Sequence, residues 1–87
     1  MIEVKKKKAG DFQVIVDEGD SRTEHNVKLN DEYYQKLTGG KITEEELIKQ
    51  SFDFLLQRES KESILSKFNL ELINRYFPEY EREIKKL

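Results

Sequence analysis

"SFDFLLQRESKESILSKFNLELINRYFPEY", residues 51–80, decides the fold. It holds four phenylalanines, two tyrosines and a single proline among its aliphatic residues. It reads either as a recognition surface, like a helix-turn-helix on DNA, or as the apolar interior of a small domain. Spacing favours the interior. Within "SILSKFNLELINRYF" a short helix, a polar turn residue and a second helix fit the DNA-binding motif superficially. The second helix of that motif, however, opens with exposed polar residues that reach base edges. Here Leu70, Leu72 and Ile73 hold that position, leaving Glu71, Asn74 and Arg75 outward, and a glutamate repels phosphate.

On the amino-terminal side, Thr43 followed by Glu46 forms a capping box and predicts a helix over 43–59. At about 100° per residue its Leu47, Ile48, Phe52, Phe54, Leu55 and Leu56 cover an arc of about 200°, twice what a surface helix needs. That helix is expected to pack on a sheet on one side and on other helices on another. Ser51 falls inside the arc, where a small side chain lets another element approach closely. Beyond it, Ser60 is placed to cap a short helix carrying Ile64, Leu65 and Phe68, and Asn69 the next, carrying Leu72, Ile73, Tyr76 and Phe77. Pro78 either kinks this helix or starts a new one. Ile73, Tyr76, Phe77, Tyr80, Ile84 and Leu87 keep helical spacing straight through it.

Residues 2–30 carry the other period. Phe12, Val14 and Val16 alternate with Gln13, Ile15 and Asp17, and His25, Val27 and Leu29 alternate with Asn26, Lys28 and Asn30. Alternation on both sides of "DEGDS" predicts a hairpin with Gly19 at a positive φ. "IEVKKKK" adds a third strand through Ile2 and Val4, with "AGD" as its turn. Asn30 or Asp31 is placed to cap a short helix that ends before Gly39-Gly40. The expected fold is one α+β domain over 1–87. A small antiparallel β-hairpin or three-stranded meander, about residues 2–30, is followed by three or four packed helices, about 31–87, covering one sheet face.

The totals narrow the function. Eighty-seven residues leave no room for two independent cores. Sixteen basic and eighteen acidic residues give a net charge of −2, whereas a dedicated phosphate-backbone binder shows a basic excess. Without cysteine there are no disulfides, thiolate zinc sites or thiol nucleophiles. No apolar run approaches the roughly 20 residues that span a bilayer. "MIEVKKKKAGDF" has lysines but no apolar segment after them, unlike a secretory signal. These features predict a cytoplasmic protein with no membrane association.

Four groups of residues could carry chemistry. Lys5, Lys6, Lys7 and Lys8 form the one strong local positive charge, suited either to nucleic acid or to a solvated edge strand whose lysines discourage pairing between molecules. His25, the lone histidine, shares parity with Val27 and Leu29 and is expected as a hydrogen-bonded core imidazole. The carboxylate groups at 44–46 and at 79, 81 and 83 match no calcium-loop spacing and suit helix starts. Tyr33 and Tyr34 are adjacent and cannot both face inward on a helix. With Tyr80, Ile84 and Leu87 they form a candidate surface for a partner or a second copy, or else shield this protein's own core.

Ser51–Glu59, Ser63–Leu65 and Phe68–Tyr80 resemble short bacterial proteins of uncharacterised function that share S-F-x-F-L-L-x-R-E, then S-I-L, then F-x-L-x-x-I-x-x-Y-F-P-E-Y. The resemblance covers the second half of the chain and implies a pattern of core residues, with no activity, ligand or site attached. Its polar members are Arg58, Glu59 and Glu79, and Arg58, near the edge of the apolar arc, is expected to pair with a carboxylate at a helix junction. The functional expectation is a small non-enzymatic protein-interaction or regulatory module, acting on a protein partner or as a homo-oligomer and without a cofactor. The alternative is nucleic-acid binding through Lys5–Lys8 with Arg22 or Arg75. A third reading, an enzyme using His25, requires that histidine exposed in a cleft beside a carboxylate.

Overall fold

Residues 2–28 form the expected meander. The computed structural model describes residues 1–86. Strands β1 (Ile2–Lys8), β2 (Asp11–Asp17) and β3 (Arg22–Lys28) pair antiparallel in sequence order. The registers set Val4 beside Val14, Ile2 beside Val16, and Phe12 beside Val27. These residues share one face, and Phe12, Val14, Val16 and Val27 are buried. The other face carries Glu3, Lys5, Gln13, Ile15, Glu24 and Asn26, and among the described residues no helix covers it. Gly10 and Gly19 turn the chain with φ of 76° and 95°. At Gly10 a side chain would also press on the Leu29 carbonyl oxygen, 3.2 Å from an ideal Cβ.

The sheet has a fourth strand, β4 (Lys67–Asn69), which runs parallel to β3 and gives the order β1-β2-β3-β4. It replaces the helix expected over Ile64–Phe68. Ser60 opens only a single 3-10 turn, Lys61–Ser63, and Ile64 is already extended at φ −76° and ψ 133°. Ile64 and Phe68 lie four apart, as on a helix face, but Phe68 and Leu70 are buried while Lys67 and Asn69 are exposed, which is the period of a strand. The need that decides between them comes from β3. The Leu29 N–H donates to Gly10 O, so Asn26 and Lys28 turn their main-chain groups away from β2. There the Asn26 N–H donates to Ser66 O at 2.7 Å, and the Leu70 N–H donates to Lys28 O at 2.9 Å. Buried main-chain polar groups are almost always paired, and this pairing overrides the helical spacing.

Two helices bridge β3 and β4, so strands and helices interleave. In α1 (Asp31–Thr38) Asn30 Oδ1 accepts from the Tyr33 N–H at 2.7 Å, and Gly39 closes the helix at φ 62°. In α2 (Glu44–Leu56) Thr43 Oγ1 accepts from the Glu46 N–H at 3.0 Å. Leu47, Ile48 and Phe52 of α2 have no exposed surface. The Phe52 ring sits 5.3 Å from that of His25 and 6.1 Å from that of Phe68, tying the helix to both β3 and β4.

Pro78 separates α3 (Leu72–Tyr76) from α4 (Tyr80–Lys85). Phe77 stands at φ −130° and ψ 87°, because a residue before proline is pushed out of the helical region. The chain therefore restarts instead of kinking. The restart brings Tyr80 against Ser51, the small residue in the apolar arc of α2. Ser51 Oγ donates to Leu47 O at 2.7 Å, which uses its one hydrogen, so the Tyr80 hydroxyl is the donor in the 2.6 Å contact with Ser51 Oγ. Both side chains are fully buried.

That direction sets an order of costs. Ser51→Ala leaves the buried Tyr80 hydroxyl without its acceptor and is expected to lower stability by about 1–3 kcal/mol. Tyr80→Phe leaves Ser51 still bonded to Leu47 and is expected to cost about 0.5–1.5 kcal/mol. Urea midpoints of the two variants check the order, and a costlier Tyr80→Phe would reverse the donor assignment.

Candidate interaction surfaces

The aromatic surface expected from the sequence lies in the interior. Tyr33, Tyr80 and Ile84 are buried, and Tyr34 is partly buried against the core. Leu87 lies outside the described residues. The Tyr33 hydroxyl donates to Glu81 Oε2 at 2.9 Å, joining α1 to α4, and Glu81 also pairs with Lys36 at 3.3 Å. Burial first, and the bond to Glu81 second, push the Tyr33 phenol well above the ordinary range, so it stays a donor. The Tyr34 hydroxyl donates to Ile42 O. These tyrosines shield this protein's own core.

The reverse holds for two residues read from the sequence as interior. Leu65 is 47% exposed and Tyr76 is 66% exposed. Tyr76 ends α3, and because Phe77 leaves the helix, the apolar stripe expected to run on through Pro78 stops there. Leu65 and Tyr76 line an open cleft of about 240 Å³ with Ile64, Phe68, Leu72 and Phe77. The signal that could have found it is Pro78 itself: a restart breaks the register of every apolar position on one side relative to the other.

Beside the cleft runs the outer edge of β4. Ser66 O and the Leu70 N–H face β3, so the N–H and C=O groups of Lys67 and Asn69 face the opposite way. The other sheet edge is β1. Met1 and Asp17 exchange main-chain hydrogen bonds, which turns those of Ile2, Val4 and Lys6 outward. Lysines crowd this edge, and the register shifts between Lys6 and Lys8, leaving Lys7 as the extra residue of a bulge. Both devices discourage edge-to-edge pairing.

The lysine run does not converge with either expected arginine. Arg22 lies at the far end of β3, in register with Asp17 and 3.9 Å from Glu24. Arg75 is on α3, lining a groove with Lys36, Glu71 and Glu81. Lys6 turns to the helical face, where its Nζ lies 3.4 Å from Glu44.

His25 is 2% exposed, with both ring nitrogens engaged. Nδ1 lies 2.8 Å from Leu65 O, which can only accept, so Nδ1 carries the proton and the Thr23 hydroxyl donates to Nε2 at 2.8 Å. The ring thus pins the chain entering β4 to β3 and is sealed from solvent. Lys61, likewise buried, holds Glu18 at 2.6 Å and Glu62 at 2.9 Å, fastening the same stretch to the turn between β2 and β3. The bonds to Glu18 and Glu62, in that order, hold its ammonium above the ordinary lysine range. Among the described residues no three of His, Cys, Asp and Glu converge where a metal could sit, and no helix is long and apolar enough to cross a membrane.

Arg58 meets its expected carboxylate. Its Nε donates to Glu79 Oε2 at 3.1 Å at the junction of α3 and α4, Nη1 donates to Phe54 O, and the guanidinium lies 3.6 Å from the centre of the Phe54 ring. A main-chain hydrogen bond first, and Arg58 second, hold the Glu79 carboxyl below the ordinary glutamate range. A carboxyl lowered on folding stabilises fully above its unfolded pKa and loses that contribution as the pH falls through its folded one. Thermal melts of Glu79→Gln are therefore expected to lose less stability than the wild type below the ordinary glutamate pKa of about 4.3. Parallel wild-type and variant slopes would remove Glu79 as a source of acid sensitivity. Burial makes a second division. Ile84→Ala is expected to cost about 2–5 kcal/mol, whereas Leu65→Ser with Tyr76→Ser should change stability by about 0.5 kcal/mol or less each. Denaturant titration reads both.

No protein-family model matches this chain, and no curated protein or solved structure shows significant similarity to it.

Proposed function

We propose that this protein is a small non-enzymatic interaction module whose docking site is the apolar cleft beside β4. The observation that carries the reading is the exposure of Leu65 and Tyr76 at the mouth of that cleft, next to outward main-chain groups at Lys67 and Asn69. A strand edge and an apolar slot together suit an extended segment of a partner protein, added beside β4 by main-chain hydrogen bonds. An apolar side chain of that segment enters between Leu65 and Tyr76. Glu59, the one charged residue lining the cleft among those described, selects for a basic residue in the partner. The bonds that hold His25 within the fold support the non-enzymatic reading.

The test starts from proteins that co-purify with the wild type but not with the Leu65→Ser/Tyr76→Ser double variant. The purified partner is then titrated into labelled protein. The expected result is roughly tenfold or greater weakening in the double variant, about 1.4 kcal/mol, with amide shifts concentrated at Lys67 and Asn69. A partner that binds the double variant equally well, or shifts amides of β1 instead, overturns the site.

A further inference from the structure

The uncovered sheet face carries an electrostatic pattern invisible along the chain. The strand registers arrange its side chains in rows that cross all four strands. One row is Lys5, Gln13, Asn26 and Lys67, and the next is Lys8, Asp11, Lys28 and Asn69. Together they hold four lysines and one aspartate. The following row, Glu3, Ile15 and Glu24, is acidic, and the one after it, Asp17 and Arg22, is neutral. Among the described residues no ion pair engages Lys8, Lys28 or Lys67, and Lys5 has only an exposed contact with Glu3 at 3.6 Å. With strands about 4.8 Å apart and alternate residues about 6.7 Å apart, the basic rows make a strip about 14 Å long and 7 Å wide.

We infer that this strip, Lys5, Lys8, Lys28 and Lys67 with the amides of Gln13, Asn26 and Asn69 between them, binds the backbone of single-stranded nucleic acid. The shape of the charge selects the ligand. A strand is a line and lies along the basic rows without touching the acidic one. An anionic membrane is a plane and would press Glu3, Asp17 and Glu24 against its own charge. A duplex carries its second backbone across a groove of about 6 or 12 Å, over the same carboxylates. The interleaved amides offer donors and acceptors to base edges, for which lipid headgroups have no matching use. Gln13 Nε2 is already bonded to Glu24 at 2.8 Å, which leaves its oxygen as the free acceptor. No aromatic ring stands in either row, so affinity comes from charge and is salt-sensitive and tolerant of sequence. The strip uses the side chains of Lys67 and Asn69, whose main-chain groups edge the cleft beside β4, and it does not depend on the reading of that cleft. It also differs from the pairing of Lys5–Lys8 with Arg22 or Arg75, since Lys6 faces the helices and Arg22 lies about 20 Å from Lys8 along the strands.

Fluorescence anisotropy with labelled single-stranded RNA and DNA of about 12 nucleotides tests it, with matched duplexes and phosphatidylserine vesicles as comparison arms. Binding is expected at about 20 mM salt, with a slope of log K against log salt near −3, from about −0.7 for each of four phosphates. Lys28→Ala/Lys67→Ala is expected to flatten the slope by about 1.4 and weaken binding roughly tenfold at low salt. Arg22→Ala/Arg75→Ala should stay within about twofold of the wild type, and circular dichroism checks that every variant is folded. Absence of binding at low salt, indifference to the lysine substitutions, or tighter binding to duplex or vesicles overturns the inference.

Discussion

The outer edge of β3 is the constraint on which the architecture turns. Asn26 and Lys28 have main-chain groups facing away from β2, and the segment around Phe68 supplies their partners. Meeting that need requires the chain to cross the sheet after α1 and α2 and return in parallel. The return places Phe68 against Phe52, brings Leu65 O to His25, and lets Lys61 close on Glu18. One short strand thereby ties β3 and the turn before it to the stretch that follows α2.

The helical layer depends on a smaller feature. A serine in an otherwise apolar stretch of α2 admits the Tyr80 ring and accepts its hydroxyl proton. Phe54 then stacks edge-on against both Phe77 and Tyr80, on either side of the proline break. Arg58 covers the Phe54 ring and reaches Glu79. The junction of α3 and α4 is thus fixed by one buried hydrogen bond, one aromatic cluster and one ion pair. The same break leaves Tyr76 outside, so the device that completes the core also creates the apolar surface.

Local signals were legible in the sequence where they were decided locally. The alternation of Phe12, Val14 and Val16, the caps at Asn30 and Thr43 and the gap at Ser51 all depend on neighbours within a few residues or on one helix face. The strand at Lys67–Asn69 was not legible, because Ile64 and Phe68 satisfy helical spacing and nothing nearby reports the vacant edge of β3. Tyr76 and Tyr80 look equivalent in sequence, and only the new helix axis after Phe77 separates an exposed ring from a buried one. The basic strip escaped for a similar reason. Lys28 and Lys67 are unremarkable in isolation and become neighbours of Lys5 and Lys8 only through the registers.

The parallel strand has a temporal consequence. Both hairpin pairings close over a few residues, whereas β4 must find β3 across two intervening helices, and loop-closure entropy is met before that contact returns any free energy. It is therefore the last ladder to assemble and, at three residues, among the first to open in native-state fluctuations. The Asn26 and Leu70 amide protons that bridge the two strands are expected to exchange with solvent through a subglobal opening, while those of β2 await unfolding of the whole molecule.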